Sequence, residues 1–391
     1  MKRPGAIPWL CGVIALAVSG AAVMVMIAPQ HWRVSALVRM ANTDAIAPLA
    51  LQTDPSFVQV TSANHYDGVY NYTIARDPLA LGEAHTLIDE SPYRYGHAGY
   101  GWLTWLVSAA NPLEVPRTLL FLGLLGMAAS AVVVSLIAVE LGWTAWAGLF
   151  AAFSPGLIGG VIADTTEPLG VAVIALAVLL WMRGRVGWSA VFLIAACLVK
   201  EPYVLVPAAL ALWEGIRWLR GTRPDRLLHR GLALAAGPVL FAVWYTYLRL
   251  HFGIWPFRAS VGLFSAPLAG WVDTLQRAVG LGQVDFNGAQ LAGAMVPILI
   301  AIAAGLIAGA TRAVRLRSPV DVLFLLFFGV TALLNWWTLL FPKDLIRELV
   351  LPLLLLPAAL AGLRSRPGAL AGDALSAGSA ASAAPSGGAG T

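Results

Sequence analysis

Charge is scarce in this chain. Of its 391 residues only 12% are Asp, Glu, Lys or Arg, about half the share that a soluble domain carries. That shortage excludes an ordinary soluble fold, and a mean hydropathy of +0.77 agrees. Cysteine is scarcer still. The two present, Cys11 and Cys197, lie inside apolar runs without metal-ligand spacing, and a bridge between membrane helices would be out of keeping, so packing is their expected role. GxGxxG, Walker A, HExxH and GxSxG patterns are absent, which excludes a nucleotide fold, a P-loop motor or a zincin as the basis of any site. No internal repeat and no cleavable signal peptide is evident. The first apolar run, 7–28, is long enough to span and is expected to be an uncleaved helix. The net charge of +5 does not point to nucleic acid, because the arginines stand in short clusters between apolar segments, as membrane topology requires.

What the chain has in abundance is apolar runs near the length of about 20 residues that crosses a bilayer. The expected fold class is an all-α polytopic membrane protein. Lys2 and Arg3 precede the first run, which puts the N-terminus in the cytoplasm and a long first loop, about 29–116, outside. Within it the segment 96–110 (GHAGYGWLTWLVSAA) is aromatic but short, and either crosses or lies flat in the interface. If flat, later spans run about 117–139, 145–163, 168–182, 186–199, 202–217, 231–250, 289–311, 320–341 and 345–363. The basic clusters Arg183/Arg185, Arg217 to Arg230, Arg312 to Arg317 and Arg364/Arg366 then all face the cytoplasm. If it crosses, all of them face outward, against the positive-inside bias. The flat arrangement is preferred. It gives about ten spans, cytoplasmic termini, a later outer loop at about 251–288 and a membrane domain over 1–363. The Ala/Ser/Gly-rich stretch 364–391 is too poor in large apolar residues to fold and reads as a disordered cytoplasmic tail.

The polar islands then share the outer side. The largest is 64–95, which lipid cannot solvate. It holds Asp67, suited to deprotonating a hydroxyl or holding a divalent metal, although Asp-Gly is also an ordinary turn pair. Its end, Tyr93-Arg94-Tyr95, can grip a phosphate with the guanidinium while the rings line a sugar or lipid, or can simply anchor at the interface. Asp164 and Glu167 are candidate second acids for acceptor or metal, with Glu167 equally suited to capping a helix. Lys200-Glu201 reads as a further cation or as a self-satisfied pair. Lys343 and Arg347, one helical turn apart, could clamp a phosphate. His65, His85 and His97 lack a trustworthy ligand spacing and read as surface residues.

Together these islands resemble the GT-C superfamily of multi-spanning glycosyltransferases, in particular bacterial membrane proteins of its mannosyltransferase-like branch. The resemblance rests on YDGVYNYTIARDPL (66–79), IDESPYRYGHAGYGWLTWL (88–106), ADTTEPLGVAV (163–173) and LVKEPYVLVP (198–207), with KDLIREL (343–349) weaker. It covers most of the membrane region and none of the tail. It implies a GT-C-like bundle with interfacial helices in the first outer loop, a catalytic acid there at the position of Asp67, and a polyprenyl-phosphate-linked sugar as donor. Asp164 and Glu167 correspond to the acids of the next outer loop. Asp67 is followed by Gly68 rather than by a second acid, so the pattern departs from a paired-acid signature and leaves a divalent metal, Mg or Mn, open. The implied activity is an inverting transfer to a glycan, lipid or protein acceptor on the outer face of a bacterial inner membrane. Asp67 would be the base, with Arg94, Tyr93, Tyr95, Lys200, Lys343 and Arg347 around the donor. The alternatives are a lipid-linked saccharide transporter and a non-catalytic assembly factor for cell-envelope glycopolymers. A transporter would favour charges at mid-membrane, whereas these charges cluster at one face.

Overall fold

The structure is a computed structural model that describes residues 5–222, 226–260, 262, 264–279 and 289–363, the last stretch without the side chains of 289–294. Lys2, Arg3, the tail 364–391 with its two arginines, and parts of the 217–230 cluster and the 251–288 loop lie outside the described residues. Among the described residues every regular element is helical. The remaining pairing is two isolated backbone bridges, Ala41 with Val60 and Phe264 with Leu334.

In chain order, α1 (Ile7–Ile27) is followed by the long segment to residue 114, folded as short turns and helices of which α2 (Gly68–Arg76) and α3 (Gly99–Val107) matter here. The next are α4 (Val115–Glu140), α5 (Pro155–Val161), α6 (Glu167–Met182), α7 (Val186–Val199) and α8 (Leu205–Leu219). They are followed by α9 (Leu227–Phe252), α10 (Ala289–Ala313), α11 (Pro319–Thr331), α12 (Pro342–Glu348) and α13 (Val350–Ala361). Four of these, α1, α4, α9 and α10, are long and apolar enough to cross a bilayer, as an all-α membrane protein requires. In segment 96–110 the longest helix is the nine-residue α3, too short to span, after a short 3-10 turn, Tyr95–His97.

Three expected spans are broken. The stretch 145–163 is cut at Ser154, whose Oγ caps α5, because Pro155 has no N–H with which to continue the preceding helix. The stretch 320–341 stops at Thr331, and a separate short helix, Trp336–Leu340, restarts where Asn335 Oδ1 accepts from the Thr338 amide at 2.9 Å. The stretch 345–363 is divided between α12 and α13 at Leu349. The apolar helices α6, α7, α11 and α13 have 16, 14, 13 and 12 residues, or roughly 18–24 Å at 1.5 Å per residue. Ten full-length spans are therefore not what helix length gives.

The largest core is built from α1, α4, α6 and α7, with the polar run folded onto it. Gly126 of α4 lets the first turn of α6 approach closely. A Cβ there would stand 2.6 Å from the Leu169 nitrogen, so any larger residue would push α6 away. Helix direction sorts the polar residues into two groups. Glu167 opens α6, Lys200 ends α7 and Glu348 precedes α13, so all three gather at one end of the bundle. At the other end Arg183 pairs with Glu140 at 2.7 Å, and Glu214 takes Trp181, Arg217 and Arg230. There too Arg220 donates to the Leu316 carbonyl at 2.6 Å and Arg317 to that of Gly362 at 3.1 Å.

Candidate active site

The first end encloses a cavity of 690 Å³. Asp67 reaches it from the start of α2. It is not acting as a helix cap, since its carboxylate makes no bond to the first turn. Gly68 explains the dipeptide instead: a Cβ there would lie 2.7 Å from the carbonyl oxygens of Ala163 and Val38. Glycine lets the start of α2 sit against backbone, and the neighbouring carboxylate is thereby aimed at α12.

There Arg347 binds it. Arg347 Nη1 lies 2.5 Å from Asp67 Oδ2, its Nε 3.1 Å from Glu167 Oε1 and its Nη2 3.4 Å from Glu348 Oε1. The Nε is close to Glu167 but not aligned as a hydrogen bond. Arg94 approaches Asp67 from the other side, 3.6 Å from Oδ1, and lies 3.7 Å over the Tyr70 ring. Burial alone would raise the Asp67 carboxyl, but Arg347 and then Arg94 override it and hold the group well below the usual carboxylate range. Asp67 is thus a carboxylate that stays ionised while partly open to the cavity, its side chain 27% exposed.

Lys200 Nζ bridges Glu167 Oε1 at 2.9 Å and Glu348 Oε1 at 2.8 Å. It is not paired with its neighbour Glu201. Glu201 instead meets His97 Nδ1 at 3.0 Å and accepts from the Tyr245 hydroxyl at 3.1 Å. Glu167 also accepts from the Thr165 hydroxyl, so both its oxygens are engaged. It acts as a brace for Arg347 and Lys200, and it caps nothing. Asp344 faces the cavity from α12 and accepts from the Tyr66 hydroxyl at 2.8 Å. Burial pushes its pKa up, against the opposing pull of Arg347.

The structure brings together Asp67, Glu167, Tyr93, Arg94, Lys200 and Arg347 around this cavity. Three sequence candidates lie elsewhere. Asp164, in a left-handed turn with φ of 48°, is buried with neither carboxylate oxygen bonded; burial raises its pKa well above the usual range. Its carbonyl, rather than its side chain, is used, accepting from Asn71 Nδ2 at 2.8 Å. Tyr95 is fully buried and donates to the Asp77 carbonyl at 2.7 Å. Lys343 sits over the far side of the Tyr66 ring, 4.6 Å from its centre, in a neighbouring cavity. The histidines are not free surface residues either. His65 meets Asp44 at 2.9 Å, and His85 meets Asp77 at 2.9 Å.

The sequence reading gave no site role to Asp344, Glu348, the Glu201–His97 pair or the rings of Trp336 and Trp337. Helical spacing carried a signal for the first two. Positions 344, 347 and 348 share a face as readily as 343 and 347.

Carboxylates outnumber Lys and Arg in this cavity by seven to three. With the Tyr70, Tyr93, Trp336 and Trp337 rings, the lining suits a neutral polyhydroxyl group, which carboxylates accept from and ring faces stack against. Among the described residues no group of three or more His, Cys, Asp or Glu is placed to hold a metal ion. These acids, engaged by cations and hydroxyls, do not fit Mg or Mn. The chain matches no family model and no curated protein.

Proposed function

We propose that the chain is a GT-C-like membrane glycosyltransferase, moving a sugar from a polyprenyl-phosphate-linked donor to a hydroxyl of a cell-envelope acceptor. The reaction would run on the outer face of a bacterial inner membrane. The observation that supports this most is Asp67: an ionised carboxylate facing a polar cavity at one end of an apolar bundle, fixed between two guanidiniums. In the reaction the acceptor oxygen bonds to the anomeric carbon from the face opposite the leaving group. The bond from that carbon to the phosphate oxygen breaks, and the phosphate departs with the electron pair. The acceptor proton passes to Asp67. A carboxylate of depressed pKa is a weak base, so the proton moves late, once the attacked hydroxyl has become acidic. Until then Asp67 orients that hydroxyl and faces the positive charge that develops on the sugar.

A transporter reading is less well supported. The four long helices carry at most two charged residues in their most apolar 18-residue windows, whereas carriers place such groups along the path. The test is transfer from a radiolabelled polyprenyl-phosphate sugar by purified protein. Asp67→Asn should lower turnover by about 10²–10⁴-fold with donor binding retained. Wild-type turnover in that variant would remove Asp67 from the chemistry.

A further inference from the structure

The cations of the large cavity are already neutralised. Arg347, Lys200 and Arg94 are each shared among carboxylates, and the cavity's excess of acid would repel a phosphate. Next to it lies a second cavity of 270 Å³ of opposite character. Arg39, Tyr66, Lys343 and Arg347 form its walls, with Gly156 and Gly159 on the floor. Among the described residues neither Arg39 nor Lys343 has a carboxylate within ion-pair distance. Arg39 reaches the Met26 sulfur at 4.0 Å, and Lys343 lies over the Tyr66 ring. The acid that acts on Arg39 is Asp164, whose carboxyl burial pushes up and which stands beyond ion-pair distance from it.

Gly156 and Ile346 are shared with a third space, an apolar groove of 670 Å³ walled by Trp146, Phe150, Phe153 and Leu353. Arg347, at the other side, is shared with the acidic cavity. An apolar groove, a basic chamber and an acidic, aromatic chamber therefore adjoin in that order, each sharing a wall with the next. That order matches an amphiphile whose tail, anionic head and polar cargo are joined in series.

We propose that the small cavity seats the anionic head of a lipid phosphate, with Arg39 and Lys343 on the phosphate oxygens. The tail lies in the groove beyond Gly156 and Ile346, and the cargo passes Arg347 into the large cavity. The assignment rests on the lipid-linked-donor reading above and moves the phosphate away from Arg94 and Lys200. Those two become braces for the acids of the large cavity.

Binding can be read without any transfer step. The full chain, purified in detergent, is titrated with long-chain polyprenyl phosphate by native mass spectrometry, alongside the phosphate-free polyprenol and competing inorganic phosphate. Arg39→Gln with Lys343→Gln should weaken binding of the lipid phosphate by about 10–100-fold, as expected for losing charge-assisted contacts. Gly159→Leu should weaken it too. A Cβ at Gly159 meets only Ile346 Cδ1, at 4.0 Å, so a larger side chain can start there without a backbone clash and takes space from the chamber. The single variant Lys343→Gln, at an exposed position, serves where the double variant does not fold. Unchanged affinity in both Lys343→Gln and Gly159→Leu would overturn the assignment. So would polyprenol binding as tightly as its phosphate, or inorganic phosphate competing as strongly as the lipid, which would mark a free-anion site. Because no sugar moves in this assay, absence of transferase activity leaves the result standing. Transfer that persists with unaltered lipid-phosphate binding in the variants removes the site but not the transferase.

Discussion

Arg347 touches three carboxylates at once, and Glu167, the most enclosed of them, is 1% exposed. Taking one partner from a buried ion cluster leaves the others uncompensated, at a cost of about 3–5 kcal/mol. Arg347→Ala should lower the denaturation midpoint accordingly, and Arg347→Lys should recover only part, since one ammonium cannot span Asp67 and Glu167 as the fork does. Equal stability of the Ala variant and wild type would mean that the acids find water instead. The same clamp fixes a pH response. The folded-state pKa of Asp67 lies below its unfolded value of about 3.9. Its stabilisation is therefore complete above that unfolded value and is lost as pH falls through the lower folded one. Melting curves between pH 5 and pH 2 should show a shallower acid loss for Asp67→Asn than for wild type, and parallel curves would contradict the clamp. Asp67, Arg94, Glu167, Lys200 and Arg347 were legible in the sequence because a charge is rare in so apolar a chain and needs a reason. Their pairings were not. Lys200 lies 148 positions from Glu348, and no local pattern announces a contact across such a distance. Asp164 misled for the same reason: its neighbours in sequence are polar, but the turn buries its carboxylate.

Helices were legible wherever hydrocarbon ran on without a proline or a polar cap. The sequence reading placed α1, α6 and α7 within one residue at each end, because each is an apolar run bounded by polar residues or proline, and α4 and α9 within two and four residues. It missed the breaks at Ser154 and Thr331, where the hydropathy stays high but Pro155 and the Asn335 cap end the helical bonding, and the break at Leu349, where the charged stretch 343–348 precedes α13. Those breaks matter, because they place α5 and α12 beside the cavities in place of two uninterrupted spans. Packing between elements sets the site as firmly as the charges do. Gly126 admits the first turn of α6, which carries Glu167, against α4. Gly126→Leu should cost about 1–3 kcal/mol through overpacking and should reduce transfer beyond its effect on stability, by displacing the brace of Arg347. Turnover measured on the folded fraction separates the two effects. A full rate per folded molecule would show that Glu167 tolerates the shift.

At the scale of the whole molecule the bundle has two polar ends of opposite character. One holds the cavities with Asp67, Glu167 and Arg347, the other the arginines 183, 217, 220, 230 and 317. Between them α6 runs roughly 24 Å of apolar helix, somewhat less than the hydrocarbon core of a bilayer. A basic end faces the cytoplasm under the positive-inside bias, so the cavity end should face out. Single cysteines test this with little background, because Cys11 and Cys197 are buried. Ala63→Cys and Lys343→Cys sit at exposed positions of the cavity end, and Thr222→Cys and Arg315→Cys at exposed positions of the basic end. In intact cells a membrane-impermeant maleimide should modify the first pair and spare the second until the membrane is opened. The reverse pattern would put the cavities in the cytoplasm and remove the outer-face transferase reading with them. Labelling of all four in intact cells would mean that the apolar helices between the two ends do not cross a membrane at all.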